Sequence, residues 1–349
     1  MSHSSASSRL LAELGRRFGW HLTLVQAAGG NISVKKSSSR IVIKSSGVRL
    51  CEMTPTFGWA EADYSSINKG LHRILTYPSY SVREHAYGKL LQKSTRTVHR
   101  RISMETGFHA ILPGRYVLHL HSVSGILLGM MPQHKALRLL NTVSTQPVDV
   151  HFVAASLPGF ELTSLMMKSL KKSGSERLQL WIQRNHGVVW SGGDKGEILR
   201  QIDIFERGLQ AHFHLKRFTP PHRLGAGKCS SRSVKTNLPQ GYEVVGTVCF
   251  CHWSRCNFLL KPLFPDFVIY FNLWGTSSPD LVKLTPRVAA ICAASLLQWK
   301  DKVELLYAHV LVSTLAKSLG VYSPLPQRMI GRLKTMELER LRQKQILKT

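Results

Sequence analysis

The sequence predicts an α/β protein in which a larger N-terminal unit wraps helices around a mixed sheet, followed by a linker and a smaller C-terminal α+β unit. Three observations lead there. Between Tyr116 and Phe213, short segments with strand character alternate with segments whose apolar residues recur at helical spacing. Residues Lys216 to Asn237 contain Pro220-Pro221 and several Gly, Ser and Lys, a composition that resists regular structure. A chain of 349 residues is also longer than one ordinary domain of roughly 100 to 200 residues. The expected division is therefore 1–216, a linker over 217–237, and 238–349.

The elements follow in order. Leu10, Leu11, Leu14 and Phe18 sit at helical spacing, and a Gly29-Gly30-Asn31 loop closes that region. Ile32 to Lys35 and Arg40 to Lys44 read as strands around a Ser37-Ser38-Ser39 turn, with Ser45-Ser46-Gly47 ending the second. Helices are expected over Ser66 to Leu75 and Val82 to Leu91, and another begins near Ser103. A strand from Tyr116 to His121 comes next, then a helix over Val123 to Met131 and a strand over Val148 to Val153. Leu162 to Leu170 is helical, Leu178 to Gln183 and Gly187 to Trp190 are strands, and Lys195 to Phe213 is a long helix. Beyond the linker, Tyr242 to Lys261 and Phe267 to Phe271 read as strands, and Arg287 to Leu319 and Met329 to Leu347 as helices.

Composition narrows the class. With 43% hydrophobic and 19% charged residues the chain can bury enough apolar surface to fold. Its apolar runs are too short to span a bilayer, which needs roughly 20 such residues, so no membrane partner is expected. The Ser-rich start with Arg9, Arg16 and Arg17 has some character of a transit peptide, but Glu13 and the absence of spare residues before the first motif favour an amphipathic first helix. Six cysteines in a chain this long do not make a disulfide scaffold, and reduced cytoplasmic thiols are the expectation. The formal net charge of +27 raises nucleic-acid binding as a function. Its basic residues are dispersed in short clusters such as Lys35-Lys36, Arg100-Arg101 and Lys171-Lys172, without an RNA-binding aromatic motif or finger spacing, so no specific nucleic acid is expected.

The chemistry concentrates in a few positions. In Val117-Leu118-His119-Leu120-His121 two histidines flank one apolar residue within a strand, where side chains at i and i+2 share a face. A second such pair, His212 and His214, lies in a helical stretch where the rings diverge, and reads as structural. His186 follows the strand Leu178 to Gln183, at the kind of strand end where α/β sheets collect functional groups. Three imidazoles with an open fourth position are the usual shape of a catalytic zinc site. Glu105 stands at a helix start, where it is either an acid or base beside the metal or simply a carboxylate favoured by the helix dipole. Gly29 to Ser33 and Ser45-Ser46-Gly47 are donor-rich turns suited to an anion, although ordinary turn chemistry also produces them. Cys249, Cys251, His252 and Cys256 form a cluster that reads as buried strand cysteines before it reads as a metal site.

Taken together and in order, Gly30-Asn31-Ile32-Ser33, Ile43-Lys44-Ser45-Ser46-Gly47, Ser103-Met104-Glu105-Thr106 with His109, His119-Leu120-His121 and Asn185-His186-Gly187 resemble the class II aldolase and adducin family. The resemblance covers roughly residues 8 to 216. It implies a three-layer α/β/α domain with zinc, or another divalent metal, on His119, His121 and His186. Glu105 would move the proton, and Asn31, Ser33, Ser46, Gly47 and Ser103 would bind the anion of a small sugar-phosphate-like substrate. The implied reaction is reversible aldol cleavage of a ketose phosphate through an enediolate. Epimerase or dehydratase chemistry on a pentulose phosphate uses the same site in relatives. A non-catalytic adducin-like interaction protein is the reading from another class, and the retention of all three histidines and Glu105 speaks against it. A homo-oligomer, commonly a tetramer, is implied as well. Met104 departs from the pattern, standing where many fuculose-phosphate aldolases have a second serine and so removing a hydroxyl from the phosphate pocket. The form Ser103-x-Glu105-Thr106, with Leu263-Phe264-Pro265-Asp266-Phe267-Val268 after the linker, looks closer to rhamnulose-phosphate aldolase relatives and to longer bacterial members with a C-terminal extension.

Overall fold

A computed structural model describes residues 5–144, 148–170, 177–215, 222–224, 243–249, 261–271, 281–284, 288–293 and 296–336. Its centre is a seven-stranded mixed sheet built from β1 (Asn31–Lys35), β2 (Arg40–Lys44), β3 (Trp59–Asp63), β4 (Tyr116–Leu120), β5 (Asp149–Val153), β6 (Gln179–Gln183) and β7 (Gly187–Gly192). The strand order is β3-β2-β1-β4-β7-β6-β5, and every neighbouring pair is antiparallel except β5 with β6. This is the mixed sheet the sequence predicts.

Period-2 alternation divides the side chains between two cores. Ile32, Val34, Val42, Leu118, Leu120, Leu180, Ile182, Val188 and Trp190 face one layer, which contains α1 (Ala6–Gly19), α5 (Val123–Met130), α6 (Gln133–Val143) and α8 (Lys195–His212). Ile41, Ile43, Val117, Trp181 and Val189 face the other, formed by α2 (Tyr64–Ile74), α3 (Tyr80–Ser94), α4 (Thr106–Ile111) and α7 (Phe160–Leu170). Helices thus cover both faces of the sheet in three layers.

Local chemistry sets the ends that matter for the site. Ser122 Oγ accepts from the Gly125 N–H at 2.9 Å and caps α5, so the chain turns from strand to helix within two residues of Leu120. Such a cap contributes about 1 kcal/mol and fixes where His121 stands. Between β6 and β7 the turn Arg184-Asn185-His186 requires positive φ at Asn185 (61°) and Gly187 (156°). A Cβ at Gly187 would lie 2.3 Å from the Leu120 carbonyl oxygen, so only glycine allows this turn to pack on the end of β4.

The C-terminal part differs from expectation in several places. Phe267 to Phe271, expected as a strand, belongs to helix α9 (Pro265–Tyr270) and its C-cap: Pro265 at the first helical position starts the helix, and burial on all sides removes the periodicity that would have revealed it. Arg287 to Leu319, expected as one helix, divides into strand β11 (Val288–Ala293) and helix α10 (Leu296–Ser318). β11 pairs with β9 (Glu243–Cys249) and with β10 (Leu281–Leu284) in a second, antiparallel sheet whose fourth strand, β8 (His222–Leu224), lies beyond β9. β8 is a short strand within the stretch expected to be a linker. The helix expected over Met329 to Leu347 is described as α11 (Gln327–Thr335). Cys251, His252 and Cys256 lie outside the described residues.

α9, α10 and α11 share one continuous core with the sheet, through Phe264, Phe267, Phe271, Trp299 and Leu333. Arg49 pairs with Asp301 and Glu304 of α10, and Glu304 Oε2 accepts from the Ala27 N–H at 2.8 Å. Among the described residues no helix is long and apolar enough to cross a membrane.

Candidate metal centre

Strand pairing brings the functional side chains together before any tertiary contact is needed. Asn31 and His119 are partners across β1 and β4, so their side chains emerge side by side on one face of the sheet. His121 follows His119 on that face, and the β6–β7 turn carries His186 over the same strand end. The ring centroids of His119, His121 and His186 lie 4.7, 5.0 and 4.9 Å apart pairwise. One ring nitrogen from each falls within 4.8 Å of the others, a group able to hold a divalent metal ion.

The buried atoms fit that use. His119 Nε2, His121 Nε2 and His186 Nδ1 are buried without a hydrogen-bond partner. Leaving such groups unmatched costs free energy, which an ion accepting their lone pairs would offset. Burial pushes His186 down to about 3 and lowers His119 below the ordinary histidine range, so both rings are neutral at pH 7, as ligation requires.

Glu105 occupies the N-cap position of α4 and reaches into the same hole. Its Oε2 accepts from Asn31 Nδ2 at 2.5 Å and lies 3.1 Å from His119 Nδ1, while Oε1 stands 3.5 Å from His186 Nε2. Burial opposes charge on this carboxyl, but His119, followed by His186 and His121, favours the carboxylate and holds the group well below the usual range. Tyr87 Oη fixes the helix start, donating to the Met104 carbonyl at 2.5 Å and accepting from the Gly107 N–H at 3.0 Å. Phe108 packs behind the site, stacked on His109 and edge-on to His119.

Asn31, Ser46, Gly47 and Ser103 line one cavity with Glu105, His121 and His186. Ser33 does not: it lies deeper in β1, where its Oγ is 2.8 Å from His109 Nδ1. Met104 is in the wall, at the position noted for its missing hydroxyl. Two further residues at the cavity were not singled out from the sequence as site residues. Lys44 is buried with Nζ donating to the Ala28 and Val48 carbonyls at 2.8 Å, and its place in Ile43 to Gly47 was a signal that could have found it. Asp266 reaches in from α9, its Oδ2 2.8 Å from His121 Nδ1. The cavity volume is about 20 Å³, room for about one ion or water molecule.

The three-layer α/β domain thus carries three converging buried imidazoles, a group able to hold a metal ion, beside a carboxylate. The chain belongs to the class II aldolase and adducin family: residues 9–213 match the class II aldolase and adducin N-terminal domain. Among solved structures it is similar to the N-terminal class II aldolase domain of a conserved protein from Thermoplasma acidophilum, at 20% identity over 61% of this chain and 96% of that one, with a TM-score of 0.48. It is also similar to an L-fuculose 1-phosphate aldolase, at 16% identity over 62% and 90% of the two chains with a TM-score of 0.42. The L-fuculose-1-phosphate aldolase from Thermus thermophilus is similar at 17% identity over 61% and 94%, with a TM-score of 0.36. No curated protein sequence matches.

Proposed function

We propose that this chain is a zinc-dependent lyase that reversibly cleaves a carbon–carbon bond in a small ketose phosphate or related hydroxy-carbonyl compound. The observation that carries the reading is the convergence of three buried imidazoles beside Glu105. His119, His121 and His186 would hold the ion. Bound there, zinc supplies Lewis-acid charge against the negative charge that develops on substrate oxygens during cleavage.

The chain's own groups supply the rest. Asn31 and His119 fix Glu105 Oε2, leaving Oε1 as the oxygen placed to hold or deliver a proton. Asn31, Ser46, Gly47 and Ser103 would meet the substrate's anionic group, with Lys44 as a buried positive charge behind them. Phe108, Met104 and Pro265 keep the surroundings dry, which strengthens every polar interaction at the reacting atoms.

Nuclear magnetic resonance of the products distinguishes this chemistry from its neighbours. Incubation with a panel of ketose 1-phosphates should yield an aldehyde and a three-carbon ketone phosphate. Recovery of only an epimer or a dehydrated product would overturn the lyase reading while leaving the metal centre intact.

A further inference from the structure

The carboxylate of Asp266 comes from outside residues 9–213, yet it stands against one of the three clustered histidines. Its Oδ2 is 2.8 Å from His121 Nδ1, with the two side chains 4% and 7% exposed; the contact is close without the alignment of a linear hydrogen bond. The opposite ring nitrogen, Nε2, is the one left without a partner. Asp266 is not one of the three residues whose ligand atoms converge; it lines the cavity and meets the His121 ring at Nδ1, the nitrogen other than the unpartnered Nε2.

The surrounding structure builds this contact in. A Cβ at Gly29 would come within 2.7 Å of His121 Nδ1 and 2.9 Å of Asp266 Oδ2, so the glycine keeps open the space the pair occupies. The turn that carries His186 clamps the incoming segment: Asn185 Nδ2 donates to the Leu263 carbonyl at 2.9 Å and to the Ser323 carbonyl at 2.7 Å. On the far side Phe267 stacks on His309, with ring centroids 3.8 Å apart and planes 9° from parallel. The Leu325 N–H donates to the Pro262 carbonyl at 2.8 Å. Asp266 is therefore held from two directions at the His121 ring.

We propose that Asp266 is a positioning residue for the metal centre: it fixes the orientation and tautomer of His121 so that Nε2 faces the ion, which makes the C-terminal segment an integral part of the site. A carboxylate behind a ligating imidazole holds the proton on the far nitrogen and raises the basicity of the near one. The inference rests on the reading of His119, His121 and His186 as metal ligands.

The test uses the full-length protein. Zinc affinity is measured by competition with a chromophoric chelator, and the visible spectrum of the cobalt-substituted protein is recorded, for wild type, Asp266→Asn and Asp266→Ala. The melting temperature of each metal-free variant checks folding, and the near-isosteric Asp266→Asn carries the test if the alanine variant does not fold. The expected result is zinc affinity weaker by about 10- to 100-fold, with an altered cobalt band and an unchanged metal-free melting temperature. Asp266→Asn that matches wild type within about twofold and keeps the same cobalt band would overturn the proposal while leaving the metal site standing. Wild-type protein that binds no zinc would overturn the ligand assignment, and this proposal with it.

Discussion

Replacing Glu105 by glutamine separates catalysis from stability in a way the structure makes quantitative. The amide keeps an oxygen that can accept from Asn31 Nδ2, so that bond survives. What disappears is a buried negative charge and the oxygen placed to carry a proton. A positioned acid or base contributes about 100- to 10,000-fold to rate, equivalent to about 3 to 5 kcal/mol of barrier. In the metal-free protein the same change also removes a carboxylate that His119 and its neighbours favour more than burial opposes it. The metal-free variant should melt at or below the wild-type temperature but remain folded, while the loaded variant loses two to four orders of magnitude in kcat at unchanged zinc content. Steady-state kinetics, elemental analysis and calorimetry on one preparation read all three. Turnover within about threefold of wild type would refute the assignment of Glu105 as the proton carrier.

Two other outcomes follow from particular groups. Met104→Ser should restore a hydroxyl to the cavity wall and lower KM for a phosphorylated substrate by about tenfold or more, the weight of one hydrogen bond to a charged group, while lowering stability through the lost methionine packing; an unchanged KM would mean the anion is bound elsewhere. Burial holds His109 and His186 down at about 3, so the unfolded chain binds more protons than the folded one between that value and the ordinary histidine range. Their contribution is complete above about pH 6.5 and is lost as pH falls, at up to about 1.4 kcal/mol per pH unit for each group. Glu206 and Asp301, raised by burial to about 7, change in the opposite sense, so the test compares metal-free wild type with His109→Gln between pH 7.5 and 5: the variant should lack part of the decline, and parallel profiles would contradict it.

The parts of the site that were legible in the sequence are those fixed by local geometry. His119 and His121 could be paired because a strand repeats every two residues, and His186 because it follows a strand end. Asn31 was reached only through the family resemblance; its pairing with His119 across β1 and β4 comes from the register of the folded sheet. Ser33 shares the motif but lies too deep, a difference of two positions along β1 that only the packing of His109 reveals. Asp266 was hidden twice over. It arrives from beyond the linker, and its neighbours Phe267 to Phe271 carry strand propensity that Pro265 and complete burial override. β3 went unassigned because Ala60, Glu61 and Ala62 are helix-favouring residues placed in a strand by pairing with β2. Val288–Ala293 failed for the converse reason, since a short apolar run carries no period to tell strand from buried helix.

In the proposed mechanism His119, His121 and His186 hold the ion on which turnover depends. Bound metal and retro-aldol activity measured side by side in wild type and His119→Ala test it most directly. The expected result is one equivalent of divalent metal and measurable cleavage in wild type, with both lost in a variant that still folds. Cleavage that persists in His119→Ala with no metal bound would contradict it.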